Sequence, residues 1–310
     1  YEIAQCLVGS EMCIRDSLCI YFIKSYAEGF FMLTALTVKK HERRKGMKGL
    51  VDRLKRDRAV VQVKRARGVY LKQITYISYG RKPRFEKLEK IIGDSKNRII
   101  CSPKINFHDE CGFRRFENSD FTARLCTNLA ICLLSMCDFA EKLKIGIYDP
   151  DGRDSEFLKY VMKYSSDVTV VTNSPDVYYD ENELIMENMG ACATVTKRTE
   201  ELELCQLIIA PRTIENTFSS NDKTLILTNG RPKAEVLGEI YYKYYFKMPN
   251  GFDRIKPQEI ETEYFCSALY SLGRQYSLGS IVPTMCSNFS TSQTVKSLYA
   301  QFEKINKTDE

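Results

Sequence analysis

Apolar positions change their period twice along the chain, and each change marks a different kind of element. AVVQV and VYLKQITYI are β-rich runs, and the separator KRARG carries Gly68, so a hairpin is predicted there. GLVDRLKRDRA, just upstream, reads as a short basic helix. EKLEKIIGDSKNRIICS predicts a helix stopped at Gly93 and a buried strand. In SDFTARLCTNLAICLLSMCDF, Phe121, Leu125, Leu129, Leu133 and Met136 recur at helical spacing behind Ser119 or Asp120 as N-cap. That helix is apolar around most of its circumference, which suits burial between layers. From Lys144 strands and helices alternate: KIGIYD, then DSEFLKYVMKYS with Phe157, Val161 and Tyr164 on one face, then DVTVVT. VYYDENELIMENMG follows as a helix closed by Gly190, and ACATVT, CQLIIA and TLILT as further strands. Repeated β-α-β units with short turns predict an α/β fold, its mostly parallel sheet covered by helices on both faces, with the active crevice at the carboxyl ends of the strands. EIYYKYYFKMP reads as an exposed or edge strand and QEIETEYFCSALYSLG as a helix behind Pro257.

Charge divides the chain where the pattern does. Residues 47–100 carry a net +11 and residues 101–310 a net −7, within a total of +6. A basic αβ module attached to an acidic body suggests a phosphate partner, and nucleic acid contact through Arg56, Arg58, Lys64, Arg65 and Arg67 is one expectation. Nine of the twelve cysteines follow Met47, with no C-x-x-C pair among them, so reduced thiols in a cytoplasmic, bacterial protein are expected, and no metal site. His108 is the one histidine after Met47, which weighs against Ser-His-Asp, Cys-His and histidine-ligated metal chemistry together.

The first 46 residues fit none of these elements by pattern. CLVGSEMCIRD resembles a translated sequencing-library adapter, which sets residues 1–17 apart. Lys24 and Glu28 interrupt the next apolar stretch, so no membrane span is predicted. Arg43-Arg44 shortly before Met47 could be encoded by a ribosome-binding site, and residues 1–46 are therefore expected to be non-native, with Met47 as the start.

The densest polar cluster is IGIYDPDGRDSEFL, residues 145–158. Its residue types suit a turn: Pro150 fixes φ, Gly152 accepts a left-handed backbone, and Asp154 can cap a helix. The succession IGIYDPDGRDSEFLKYV, DVTVVTNSPDVYYDENEL and ELCQLIIAPR also resembles the NAD(P)-binding half of shikimate-dehydrogenase-type Rossmann domains over about residues 144–215. That resemblance implies a Rossmann-like fold, NAD(P) as a cofactor, the adenosine ribose read at Thr172 and Asn173, and Arg212 on the same crevice. The turn departs from the family: one glycine is present, and three carboxylates stand where two phosphates would lie. IYDPDGRD also resembles the D-x-D-G motif of haloacid-dehalogenase-type phosphatases, which implies Asp149 as nucleophile, Asp151 as proton shuttle and magnesium between them. Later strand ends offer no acidic pair to complete such a site.

Two further clusters carry chemistry. Ser287, Asn288, Ser290, Thr291 and Ser292 precede the last helix, where hydroxyls and free N–H groups suit an anion. Tyr241, Tyr242, Tyr244, Tyr245 and Phe246 could stack on bases or pack a sheet. The expected layout is a basic αβ module (47–105), a helical connector (106–143), a Rossmann-like domain (144–248) and a helical C-terminal segment (249–310). The expected function is binding of a nucleotide or other small phosphometabolite through Asp149, Asp151, Thr172, Asn173 and Arg212, with Ser290, Thr291 and Ser292 on a lid. Nucleic-acid binding and a magnesium phosphatase stand as the alternatives.

Overall fold

The computed structural model describes residues 4–8, 32–40, 57–79, 85–107, 111–117, 120–273 and 281–307. In chain order its longer elements are β1 (Ala4–Val8), β2 (Met32–Lys40), β3 (Arg58–Ala66), β4 (Val69–Ser78), β5 (Ile100–Cys101), α1 (Asp120–Met136), β6 (Ile145–Tyr148), β7 (Val168–Val171), α2 (Pro175–Met189) and β8 (Thr194–Thr196). They continue as β9 (Leu207–Ala210), β10 (Leu225–Thr228), β11 (Glu239–Tyr241), β12 (Lys243–Tyr245), α3 (Thr262–Gly273), β13 (Met285–Ser287), β14 (Ser292–Thr294) and α4 (Val295–Lys307). Two compact units share these elements, Tyr1–Ser119 with Met248–Gln275 and Asp120–Lys247 with Tyr276–Glu310.

The first unit is built on a five-stranded sheet ordered β1-β3-β4-β2-β5. β3 and β4 form the predicted hairpin, with Ala66 opposite Val69 and the two-residue turn Arg67-Gly68 at φ 45° and 82°. Two positive φ values give a turn whose twist matches that of the flanking strands. Leu36, Ile74, Tyr76, Phe85, Leu88 and Phe113 form the core on one face. β2 lies between β4 and β5, parallel to both, and Leu33, Ala35 and Leu36 are fully buried. Residues 1–46 were expected to bury little, and on this count the expectation fails. The partners of MLTALTV come more than 30 residues later in the chain, and pairing of that range leaves no local mark. β1 pairs antiparallel with β3. The rest of the adapter-like stretch, Met47 and residues 49–56 of the predicted basic helix lie outside the described residues, and its last two residues, Arg58 and Ala59, belong to β3.

The second unit holds a six-stranded, wholly parallel sheet ordered β11-β10-β9-β6-β7-β8 and flanked by helices. All four residues of β6, β7, β9 and β10 are buried, as strands covered on both faces require. The chain starts at β6, steps outward to β7 and β8, returns to the other side of β6 as β9, and continues to β10 and β11. This is the doubly wound Rossmann order, and it leaves a crevice between β6 and β9 at their carboxyl ends. The fold class is therefore α/β and Rossmann-like, as the alternation predicted.

Three boundaries differ from those expected. α1, read as part of a connector, packs on β9 and β10, and Asn128 donates to the Ile281 carbonyl at 2.7 Å, so it belongs to the second unit. The C-terminal segment is divided: α3 goes to the first unit, whereas β13, β14 and α4 go to the second. The aromatic run breaks at Tyr242, giving β11 to the parallel sheet and β12 to a small antiparallel sheet β12-β13-β14. Tyr241 and Tyr244 are buried, which makes their role packing. No described helix is long and apolar enough to cross a membrane.

Candidate functional site

The stretch after β6 is first of all a turn. Asp149 N–H donates to the Val171 carbonyl at 3.1 Å, continuing the ladder, and Gly152 N–H closes a four-residue turn on the Asp149 carbonyl at 3.1 Å. Pro150 occupies the position its fixed φ suits. Gly152 has φ +69°, and a Cβ there would stand 3.0 Å from the Ser174 Cβ, so the loops after β6 and β7 touch where only glycine fits. Asn173 N–H donates to the Pro150 carbonyl at 3.0 Å and fastens the two loops further.

Asp149 is fully buried. One carboxylate oxygen accepts the Asp154 N–H at 2.8 Å and the Tyr178 hydroxyl at 2.9 Å, while the other has no partner among the described residues. Burial, and after it the Asp149 carboxylate, push the Tyr178 hydroxyl far above its ordinary range. Asp154 stands at the predicted N-cap position, but its side chain does not cap. It accepts instead from Arg212 Nε at 2.8 Å, while Arg212 Nη1 donates to Asp120 at 2.7 Å. Burial lifts the Asp154 carboxyl above its usual value, and the Arg212 guanidinium opposes this only in part. The crevice between β6 and β9 is thus lipped by an Asp154–Arg212–Asp120 chain resting on the Asp149–Tyr178 pair.

Of the predicted residues, Asp149 and Arg212 come together, linked through Asp154. Asp151 lies apart, its side chain 63% exposed and facing Arg153 at 3.5 Å. Thr172 is buried and its hydroxyl accepts the Ser174 N–H at 3.1 Å, so it is occupied in shaping the loop. Asn173 is exposed. Ser290, Thr291 and Ser292 do not begin a helix: Ser290 and Thr291 lie in the β13–β14 hairpin turn, where the Asn288 side-chain oxygen accepts their N–H groups at 2.9 Å and 2.7 Å, and Ser292 begins β14. Thr294 caps α4 in their place, accepting the Ser297 N–H at 3.2 Å. Sequence reasoning missed Tyr178 because VYYDENEL offers two adjacent tyrosines, and only the phase of α2 separates buried Tyr178 from Tyr179, which is 54% exposed.

These contacts also decide between chemistries. A magnesium phosphatase needs converging carboxylates, yet the described residues contain no group of three side chains able to hold a metal. Asp149 spends one oxygen on two local donors and Asp151 faces away to Arg153, so the D-x-D-G reading is corrected to a turn. A dinucleotide pyrophosphate needs free N–H groups opening a full helix. Here the N–H of Asp154 is already taken by the Asp149 carboxylate, and the helix beyond is one short turn, Leu158–Val161. The residues present do not fit that group.

Among the described residues, the charges singled out in the basic module are spread along β3. Arg56 lies outside the described residues, and Arg58 begins β3 whereas Arg65 and Arg67 stand at its far end. At about 3.4 Å per residue the two ends are more than 20 Å apart. Lys64 is half-buried, and Arg65 lies over the Tyr70 ring at 5.2 Å.

No protein-family model matches the chain, and no curated protein matches it. Solved structures with a similar backbone course include a Thermococcus litoralis Δ1-pyrroline-2-carboxylate reductase in complex with NADH and L-proline, 12% identical, with a TM-score of 0.27 over 56% of this chain and 43% of that one. Another is L-tryptophan dehydrogenase from Nostoc punctiforme, 9% identical, with a TM-score of 0.30 over 90% of this chain and 80% of that one. The chain spans less than half the length of the reductase, and the likeness assigns no residue here a role.

Proposed function

We propose that the chain binds a phosphorylated small metabolite or a mononucleotide at the carboxyl edge of its parallel sheet, with Arg212 as the anion-binding group. The observation that carries this reading is the strand order, whose reversal beside β6 puts the Asp154–Arg212 pair at the position where doubly wound sheets take their ligands. The guanidinium is held by Asp154 through Nε and Nη2 and by Asp120 through Nη1, and a phosphate offers it the same pair of acceptor oxygens for a bidentate contact. Binding would exchange Asp154 or Asp120 for the ligand's phosphate. The acidic turn, with its N–H already occupied, favours one phosphate over the two of a dinucleotide.

Thermal unfolding of the full chain with AMP, ATP and sugar phosphates tests this. A ligand present at a hundred times its dissociation constant stabilises by about 2.7 kcal/mol, a readable rise in melting temperature. The rise should vanish in Arg212→Met and be absent with the unphosphorylated nucleoside or sugar. No rise with any phosphorylated compound, or one that survives Arg212→Met, overturns the reading.

A further inference from the structure

The first unit contains a cavity of about 190 Å³ that none of the preceding chemistry uses. It lies where β5 and the loop after it meet the segment around Arg115 and the start of α3. Arg115 is its fixed element: Nε donates to the Cys101 carbonyl at 3.1 Å, and the guanidinium lies 4.3 Å from the centre of the Tyr264 ring. Tyr264 is itself anchored, its hydroxyl donating to the Phe116 carbonyl at 2.7 Å. A guanidinium carries five N–H groups, and those not engaged by the Cys101 carbonyl and the Tyr264 side chain are open to another partner; no carboxylate among the described residues pairs with it. Arginines stacked and oriented in this way recognise carboxylates bidentately.

The rest of the lining sets the character of the partner. Lys104 and Arg115 bring two positive charges, Glu259 and Glu261 two negative ones, and Pro103 and Ile260 are apolar. Glu259 already faces Lys39 at 3.5 Å, which leaves Glu261 as the carboxylate without an ion pair among the described residues. A wall of balanced charge repels neither end of a zwitterion, whereas a simple anion would meet two carboxylates. The volume is below the roughly 300–1,000 Å³ of sites for larger ligands and suits a small metabolite.

We propose that this cavity binds an α-amino acid or a zwitterion of that size, its carboxylate on Arg115 and its ammonium group on Glu261. The cavity is lined by residues of the first unit alone, and the proposal does not depend on the reading of the β6–β9 crevice.

Isothermal titration of the full chain with the common L-amino acids, tested singly, and with propionate and ethylamine as half-ligands, examines the proposal. At least one amino acid should bind saturably, and both half-ligands should bind about tenfold more weakly or worse, since each forfeits one charge-assisted contact. Arg115→Met and, separately, Glu261→Gln should each weaken the amino acid by a similar factor. Glu261 is exposed, so its substitution keeps the test sound if Arg115→Met fails to fold. Arg212→Met should leave amino-acid binding unchanged while removing any phosphate response, which keeps the two sites distinguishable. Absence of saturable binding by every amino acid, propionate binding as tightly as the amino acids, or indifference to Glu261→Gln overturns the proposal.

Discussion

The Asp149 carboxylate separates two roles that a sequence motif runs together, because its charge and its hydrogen bonds can be removed independently. Asparagine retains an oxygen for the Tyr178 hydroxyl and the Asp154 N–H; alanine leaves both buried donors unpaired. Asp149→Asn should therefore shift stability by no more than about 1 kcal/mol and Asp149→Ala cost about 2–4 kcal/mol, measured by urea unfolding. Equal losses would mean that the negative charge itself holds the turn. At Asp154 the sign of the pH dependence follows from its raised carboxyl. The folded state keeps this proton at pH values where the unfolded chain has released it. The stability this contributes is full below the ordinary aspartate value and is lost as pH rises through the raised one. Asp154→Asn should flatten that segment of a stability-against-pH curve; an unchanged slope would assign it to another group. DPDG was legible as a turn because each residue answers a local backbone demand. Asp154 was misread as a cap because its true partner, Arg212, is 58 residues away.

At the scale of elements, local rules read well and distant pairings did not. The β3–β4 hairpin, α1, and α2 closed by Gly190 in a left-handed conformation with its N–H on the Met186 carbonyl all follow from periods and caps within a few residues. DSEFLKYVMKYS has a helical face, yet it makes only a 3-10 turn, Ser155–Phe157, and one α-helical turn, Leu158–Val161. β2 is the largest divergence, and it turns an expectation about truncation around. A chain starting at Met47 would lose the strand that joins β4 to β5, together with buried Leu33, Ala35 and Leu36. With β1 lost as well, the edges of β3, β4 and β5 would open and the core would lose three side chains, so the first unit should lose cooperative thermal unfolding, followed by near-ultraviolet circular dichroism. A truncated chain that melts like the full one would show that β2 is dispensable to the sheet.

The whole molecule is threaded so that neither unit is a continuous stretch. The second unit begins at Asp120, leaves at Lys247 and resumes at Tyr276. Its sheet was legible because alternating strands and helices encode a parallel core, but its limits were not, since α1 and α4 belong to it through contacts that cross the chain. Asn128 on α1 bonds the Ile281 carbonyl, β12 pairs with β13, and Leu298 and Phe302 on α4 are buried. A fragment of residues 144–248, the domain that patterning alone suggests, would keep six parallel strands while baring the face that α1 covers and losing α4, which packs on α1. Buried apolar area is the main favourable contribution to folding, and a fragment lacking α1 and the α4 packed on it should collapse without a cooperative transition. Residues 120–247 joined through a flexible linker to residues 281–307 restore both helices and the β12–β13–β14 sheet. That chimera should unfold in one sharp urea transition, while the 144–248 fragment should give a broad one with exposed apolar surface detected by dye binding. A sharp transition from the short fragment would mean that the sheet carries its own stability and that α1 and α4 are additions to a domain already complete.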